Sequence, residues 1–317
     1  MIAAAALLTC VAVSGDQLRR DYWQSEAPTF RTLAAESLRT TQPALVFVGS
    51  SHVYTGVDPS QFSVPAINLS DSCLNYECGE MLCRHFWSRV AKAKCVVIEL
   101  DSVPAGLDTI HLRRGDLREF WQWGITGRDL PQPWWEQFKA EFCRYSGAGG
   151  APPFAPRSRT VPLDVAGPSG ETSVLRPGFF GRVGSLDPAR KEAFFANMGD
   201  SFDPRTIEAN RIALKRLIQE LRGAGVRVVL FRLPLHDDYW NHPISGRREE
   251  LVAETLAALR SEFDGDELDV IDLSRHPGLT DTDFSDWTHL SVSGAEKVSR
   301  ELDRRLRVEL RDAATPL

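Results

Sequence analysis

Five short apolar runs along the chain have the pattern of buried β-strands. Each run is continuous and rich in β-branched residues, which suits strands covered on both faces better than half-exposed strands of alternating polarity. The runs are "ALVFVG" (44–49), "PAINLS" (65–70), "KCVVIELD" (94–101), "VRVVLFRLP" (226–234) and "LDVIDLS" (268–274). They predict five strands of one sheet that is buried on both sides.

Helical patterns lie between and after these runs. The segment 203–225 carries apolar residues on one face and ends in a glycine-containing stretch, as helices commonly do. The segment 293–306 begins with Ser293 and Glu296 in capping-box register and continues with an apolar stripe. Strands that alternate with helices predict an α/β fold, a parallel sheet with helices on both faces.

A long insertion separates the third run from the fourth. Its first part is rich in tryptophan and favours short helices, whereas its second part (146–170) has too much Gly and Pro for regular structure. The aromatic side chains could form a platform for a sugar or an acyl group, or they could pack the insertion onto the main domain. They are Trp121, Trp123, Trp134 and Trp135. We predict one domain over 43–317, with the insertion at about 104–202.

An apolar segment, "IAAAALLTCVAV" (2–13), precedes this predicted domain. At about 1.5 Å per helical residue it is too short to cross a hydrocarbon core of about 30 Å. It fits a secretion signal or the remnant of a membrane anchor, and a buried first helix is the alternative. We assign residues 1–42 to this segment and a lead-in helix, and expect an extracytoplasmic protein, periplasmic or at the cell surface, with or without an anchor.

Composition narrows the classes of partner. The net charge is −6 and the pI is about 5.7, and no run of Lys and Arg is long enough to follow a phosphate backbone, so we expect no nucleic-acid partner. The six cysteines lack the spacing of a zinc site, and we predict that the protein uses neither a metal nor a cofactor. They fit scattered buried thiols, or one or two disulfides in an oxidising compartment.

The first run ends in Gly49-Ser50-Ser51, at the edge of the sheet where parallel α/β folds place their chemistry. Gly49 permits a sharp exit from the strand, and a serine can then lie at the start of the next helix. A serine nucleophile needs a base, and the base needs an acidic partner. Asp286 and His289, three residues apart in the loop after the fifth run, supply that pair.

Together these residues resemble the SGNH (GDSL-like) hydrolases, over about 43–103 and 205–310. The resemblance implies a flavodoxin-like α/β/α fold with a five-stranded parallel sheet, and a triad of nucleophile Ser51, base His289 and acid Asp286. The pattern "GSSH..TG.DP" is most similar to bacterial extracytoplasmic members, including relatives of accessory proteins of alginate acetylation and teichoic-acid D-alanylation. It implies a serine esterase or O-acyltransferase for an acylated glycan or small acyl ester, with a membrane-bound acylation partner.

Two departures from the family pattern concern the oxyanion hole. Asn68 stands in the register of the second block, but Cys73 occupies the position of the family's glycine, so that only its backbone N–H could donate. The third block falls on "LDSVPAG" (100–106), where the asparagine is absent. Loss of one oxyanion donor costs about 2.7 to 4 kcal/mol. The backbone N–H of Ser51 and the side chain of Ser102 are candidate replacements.

Two histidines and three alternatives complete the sequence-based expectations. His52 is expected to pack or to contact substrate, and His236, in "PLHDDYWNH" (234–242), to line the substrate site. Ser51, Asp286 and His289 could each be an ordinary turn or structural residue. The chain could also be a catalytically silent SGNH-fold module that binds glycan or scaffolds an acylation complex. A metal-dependent phosphoesterase using the His-Asp-Asp segment ranks last.

Overall fold

The elements of the chain alternate between strands and helices, as the sequence predicts. The computed structural model describes residues 29–71, 74–106, 123–125, 174–182, 184, 186–196, 198, 202–263 and 268–312. Within these residues the strands are β1 (Leu45–Val48), β2 (Ala66–Asn68), β3 (Cys95–Glu99), β4 (Val174–Arg176), β5 (Phe179–Gly181), β6 (Arg227–Arg232) and β7 (Asp269–Asp272).

The helices of the described residues lie between and around these strands. They are α1 (Phe30–Thr40), α2 (Ser51–Gly56), α3 (Tyr76–His85), α4 (Trp87–Val90), α5 (Ser102–Gly106), α6 (Lys191–Ala196), α7 (Pro204–Gly223), α8 (Asp237–Trp240), α9 (Ile244–Glu262) and α10 (Val292–Asp312). None of the helices in the described part of the chain is both long and apolar enough to cross a bilayer.

One sheet of five parallel strands organises the domain, in the order β2-β1-β3-β6-β7. Each residue of β1 and β3 is buried, because helices cover both faces of these central strands. Alternate side chains of β1 enter different cores: Val46 packs with α1, α3, α7 and α9, whereas Phe47 packs with α2 and α10. The predicted three-layer α/β/α fold with a five-stranded parallel sheet is confirmed.

The insertion between β3 and β6 is described in part. It contributes the antiparallel hairpin β4–β5 and the helix α6, while Trp121, Trp134 and Trp135 lie outside the described residues. The hairpin turns at Gly178 (φ 72°), where a Cβ atom would lie 2.2 Å from the carbonyl oxygen of Asn68. The turn therefore fits against the end of β2 only without a side chain.

Helix α1 packs onto the same core as the sheet. Its buried residues are Phe30, Ala34, Ala35 and Leu38, and they join the cluster that contains Val46. Residues 1–28, which hold the apolar segment, lie outside the described residues. The proposed boundary between residues 42 and 43 and the secretion signal stay predictions.

The described cysteines are buried thiols. They are Cys78, Cys83 and Cys95, and burial raises the pKa of the Cys83 thiol to about 12, which makes it a poor nucleophile. This agrees with the prediction of scattered buried thiols for these three. Cys10, Cys73 and Cys143 lie outside the described residues.

Candidate active site

The turn after β1 presents Ser51 at the carboxyl edge of the sheet. Ser50 caps helix α2, and its hydroxyl accepts a hydrogen bond from the backbone N–H of His52 at 3.4 Å. Gly49 is required sterically, since a Cβ atom there would lie 2.4 Å from Val53 Cγ2 and 2.6 Å from a carboxylate oxygen of Glu99. Ser51 is therefore the first residue of a helix that leaves the strand in a tight turn.

Ser51, His289 and Asp286 form one hydrogen-bonded chain. Ser51 Oγ lies 2.8 Å from His289 Nε2, and His289 Nδ1 lies 2.9 Å from both carboxylate oxygens of Asp286. A hydrogen on Nδ1 donates to the carboxylate and leaves the Nε2 lone pair for the serine hydroxyl. The structure thus brings together the three residues that the sequence nominated, in the geometry of nucleophile, base and orienting acid.

The loop before α10 holds Asp286 and His289 in place. Asp286 Oδ1 accepts backbone N–H groups from Thr288 at 2.9 Å and from His289 at 2.8 Å. Trp287 lies between Asp286 and His289 in sequence and is buried. It donates its indole N–H to Asp238 at 3.2 Å and packs against Phe194 and Phe195 of α6. The insertion therefore supports the loop that carries the base.

Arg182 is a member of the site that the sequence did not reveal. It follows β5 and donates through Nη1 to Asp286 Oδ2 at 2.8 Å. Its backbone carbonyl also accepts the N–H of Val292, which joins the hairpin to the start of α10. Arg182 is 104 residues from Asp286 in sequence and lies in an insertion without a recognisable motif. The local sequence therefore does not indicate this contact.

Burial and charge set the protonation of the acid and the base. Burial alone would raise the pKa of Asp286, but His289 and Arg182 hold that pKa below its ordinary value. For His289, burial and the charge of Arg182 outweigh Asp286 and lower its pKa to about 4. At neutral pH the imidazole is therefore uncharged and able to accept a proton.

Two of the predicted oxyanion donors are occupied, and a third lies outside the described residues. Both N–H groups of the Asn68 amide are donated to backbone carbonyls, to Val53 at 2.9 Å and to Val57 at 3.2 Å. The hydroxyl of Ser102 donates to Asp101 Oδ1 at 3.1 Å. In this geometry neither side chain has a hydrogen left for a ligand. The amide of Asn68 instead ties β2 to α2. Cys73 lies outside the described residues.

Asp71, which the sequence did not single out, anchors the segment that leads towards Cys73. Its backbone N–H donates to the carbonyl of Gly49 at 3.1 Å, beside the nucleophile turn. Its carboxylate accepts two hydrogen bonds from Arg31 of α1, and one from the indole N–H of Trp123 at 2.8 Å. Trp123 is 1% exposed, so this tryptophan packs the insertion onto the domain instead of offering a platform.

His52 lies behind the nucleophile, against His289 and a buried carboxylate. The two imidazole rings meet edge to face, with 5.0 Å between their centroids. Nδ1 of His52 lies 3.3 Å from Glu99 Oε1, within ion-pair distance although too bent for a good hydrogen bond. Glu99 also accepts the backbone N–H of Ser50 at 2.5 Å and its hydroxyl at 3.2 Å.

His52, Glu99 and Asp101 are the described residues most like a metal site, with ligand atoms within 4.8 Å of one another. They do not fit the role well. Both oxygens of Glu99 already accept from Ser50, and Asp101 Oδ1 accepts from Ser102 and from the backbone N–H of Val103. We assign no metal here.

His236 lies beside the triad loop, where its backbone N–H donates to the carbonyl of Trp287, and among the described residues no hydrogen bond, ion pair or ring contact joins it to Ser51 or His289. Its ring caps α8 by accepting the N–H of Asp238 at 3.1 Å, and Nε2 lies 3.2 Å from Asp281. Asp238 is engaged by Lys191 at 2.7 Å and by Trp287. The His-Asp-Asp segment is therefore a structural corner, and the substrate-lining role of His236 stays a prediction.

Comparisons with known proteins return only distant likenesses in structure. No protein-family model and no curated sequence matches the chain. A protein provisionally described as a platelet activating factor from Streptococcus pneumonia aligns with TM-score 0.40 and 12% identity, over 96% of this chain and 99% of that one. A provisionally assigned acylhydrolase from Bacteroides fragilis gives 0.41 and 12%, over 87% and 95%.

The acetyl xylan esterase Est2A of the rumen bacterium Butyrivibrio proteoclasticus aligns with TM-score 0.35 and 10% identity, over 86% of this chain and 64% of that one. These values are too low to support an assignment of family or activity. What the site does must therefore be inferred from its own residues.

Proposed function

We propose that this chain is a serine-dependent hydrolase of acyl esters. The observation that carries the proposal is the chain of hydrogen bonds from Ser51 through His289 to Asp286, with distances of 2.8 and 2.9 Å. Ser51 and His289 are 238 residues apart in sequence. Core packing does not require such a contact between a helix-start serine and a loop histidine, whereas nucleophilic catalysis does.

The reaction follows from the geometry of the three side chains. His289 accepts the proton of Ser51 as Oγ attacks the acyl carbon, and Asp286 stabilises the imidazolium that forms. The ester oxygen leaves with the proton returned by His289, which leaves an acyl group on Ser51. A water molecule or a hydroxyl group, deprotonated by His289, then releases the acyl group and restores the serine.

The finer proposal concerns the substrate. We propose an acylated carbohydrate or another cell-envelope ester as the donor, with water or a glycan hydroxyl as the acceptor, outside the cytoplasm and beside a membrane-bound acylation partner. The support is the "GSSH..TG.DP" pattern around Ser51 and its similarity to bacterial extracytoplasmic SGNH-like proteins. Hydrolysis and transfer share every step until the acceptor arrives.

One observation favours a second candidate, a silent SGNH-fold module that binds glycan or scaffolds an acylation complex. The amide of Asn68 and the hydroxyl of Ser102 are both committed inside the protein. Among the predicted donors that lie in the described residues, this leaves the backbone N–H of Ser51. A slow enzyme and an inactive binder both fit that shortage of donors.

Covalent labelling with a fluorophosphonate probe, followed by peptide mapping, separates the two candidates. We expect the wild-type protein to be labelled on the peptide that carries Ser51, and labelling to be lost in Ser51→Ala and in His289→Ala. Ser261→Ala, an exposed serine at the end of α9, is the matched control and should label as the wild type does. Absence of labelling in folded wild-type protein would favour the binding module.

A further inference from the structure

Glu99 is a buried carboxylate placed directly behind the nucleophile turn. It ends β3 and is 1% exposed. Its two oxygens accept the backbone N–H and the hydroxyl of Ser50, the residue that caps α2 and precedes Ser51. The carboxylate therefore fixes the turn from the neighbouring strand, and any change in its charge or position acts on Ser51.

His52 is the described side chain that can balance the charge of Glu99. A buried carboxylate is costly unless a cation or several donors compensate it. Among the described residues, His52 is the cation within ion-pair distance of Glu99, with Nδ1 at 3.3 Å. That nitrogen is buried and has no hydrogen-bond partner in its present orientation, so it is positioned for the carboxylate alone.

Three carboxylates that face His52 favour its protonated form. Glu99 and Asp101 face it from the end of β3, and Asp286 and His289 face it from the loop before α10. Burial alone would lower the pKa of His52, but the three carboxylates outweigh it and raise the pKa above its ordinary value. His289 is held uncharged, so the two rings can lie in contact.

We propose that Glu99 and His52 are positioning residues, a second carboxylate–imidazole pair that holds the Ser50–Ser51 turn in its reactive geometry while His52 is protonated. The proposal rests on the proposed function for its effect on catalysis. When His52 loses its proton, Glu99 becomes a buried charge without a counterion, and the turn that it holds loosens. Alkaline pH would then weaken the nucleophile through the turn, independently of His289.

Two variants and a matched control test the pair. Glu99→Gln removes the charge, and His52→Gln removes the titrating group. Glu80→Gln removes another buried carboxylate, 4% exposed and paired with Arg84 and Arg216 on a different face of the domain. Thermal unfolding of each variant establishes that it is folded before any other comparison.

The first measurement is the NMR titration of the His52 ring, assigned by its loss in His52→Gln. We expect a midpoint above 6.5 in the wild type and in Glu80→Gln, and a midpoint lower by about 1 to 3 pH units in Glu99→Gln. A wild-type midpoint at or below 6.5, or an unchanged midpoint in Glu99→Gln, would overturn the proposal.

The second measurement is the rate of fluorophosphonate labelling of Ser51 between pH 5 and pH 10. In the wild type we expect the rate to fall on the alkaline side with the His52 midpoint. Glu99→Gln has no buried carboxylate for His52 to balance, so its alkaline limb should be absent. His52→Gln should be slower at neutral pH by about 10²-fold, a typical effect of a misplaced nucleophile, and should lack the alkaline limb. Wild-type profiles in both variants would refute the positioning role.

Failure of the proposed function gives a different pattern. If the wild-type protein is not labelled at any pH, the serine-hydrolase proposal fails, and the pair is judged by amide hydrogen exchange of α2. Exchange at residues 51–54 should be faster in Glu99→Gln than in Glu80→Gln at the same pH. Equal exchange in the two variants would show that the pair does not hold the turn.

Discussion

The nucleophile turn and the acid–base loop meet in one site but are held by different parts of the molecule. The turn at Gly49–Ser51 is fixed by the sheet itself, through Glu99 of β3 and Asn68 of β2. The loop that carries Asp286 and His289 is fixed largely by the insertion, through Arg182 and α6. Ser51 is thus held by the core of the fold, whereas the pKa and the position of His289 depend on the insertion between β3 and β6.

The largest expected effect distinguishes removal of the nucleophile, Ser51, from removal of the charge of Asp286, which orients the base. Ser51→Ala should lower the turnover of a simple aryl ester by about 10⁶-fold, whereas Asp286→Asn should lower it by about 10⁴-fold, since the serine and the imidazole remain. Steady-state kinetics with an acetyl or butyryl ester measures both. Equal and small losses in the two variants would mean that this site is not where the ester is cleaved.

A smaller effect tests how rigidly the sheet holds the turn. Gly49→Ala should lower the free energy of unfolding by about 1 to 3 kcal/mol, because its Cβ atom would overlap Val53 and Glu99. Urea denaturation measures it. Gly246→Ala, in α9, is the control, since a Cβ atom there meets nothing within 4 Å. That change should be neutral or stabilising by up to about 1 kcal/mol.

The smallest effect tests the influence of the insertion on the base. Arg182 lowers the pKa of His289, so Arg182→Gln should raise that pKa from about 4 towards its ordinary value of 6.5. The active form has His289 unprotonated, so the acid limb of the kcat/KM profile should move to higher pH. Activity at pH 5 should fall relative to activity at pH 8.

Arg190→Gln provides the control for that shift. Arg190 also lies in the insertion, but its ion pair is with the exposed Asp187. Its removal should leave the acid limb in place. A limb that stays fixed in Arg182→Gln, or that moves equally in both variants, would show that the charge of Arg182 does not set the basicity of His289.

The predicted fold is reproduced because its signals are local. Continuous apolar runs predict buried parallel strands, and all five strands occur where those runs lie. The triad could also be nominated, since the glycine-serine turn and the D-x-x-H spacing are each short patterns at the ends of strands. The contacts of Arg182 and Glu99 could not, because an ion pair between distant segments leaves no trace in the spacing of either segment.

The candidate oxyanion donors show what a residue's position along a strand does not predict. Asn68 is in the expected place on β2, yet its amide turns inward and donates to the carbonyls of Val53 and Val57, at the carboxyl end of α2. The hydroxyl of Ser102 is likewise donated within the protein, to Asp101. A residue's position along a strand predicts which edge of the sheet it reaches, while the hydrogen-bonding needs of its neighbours decide which way it points.

By itself the sequence determined the five strands of the main sheet, the helices at 203–225 and 293–306, the edge of the sheet where chemistry was expected, and the three residues of the candidate triad. These follow from apolar periodicity and from residue types at strand ends, which act over a few residues. Only the tertiary structure decided that Arg182 joins Asp286, that Glu99 lies behind Ser51 with His52, and that Asn68 supports α2. Each of these depends on burial and charge between segments that meet only when the sheet is formed.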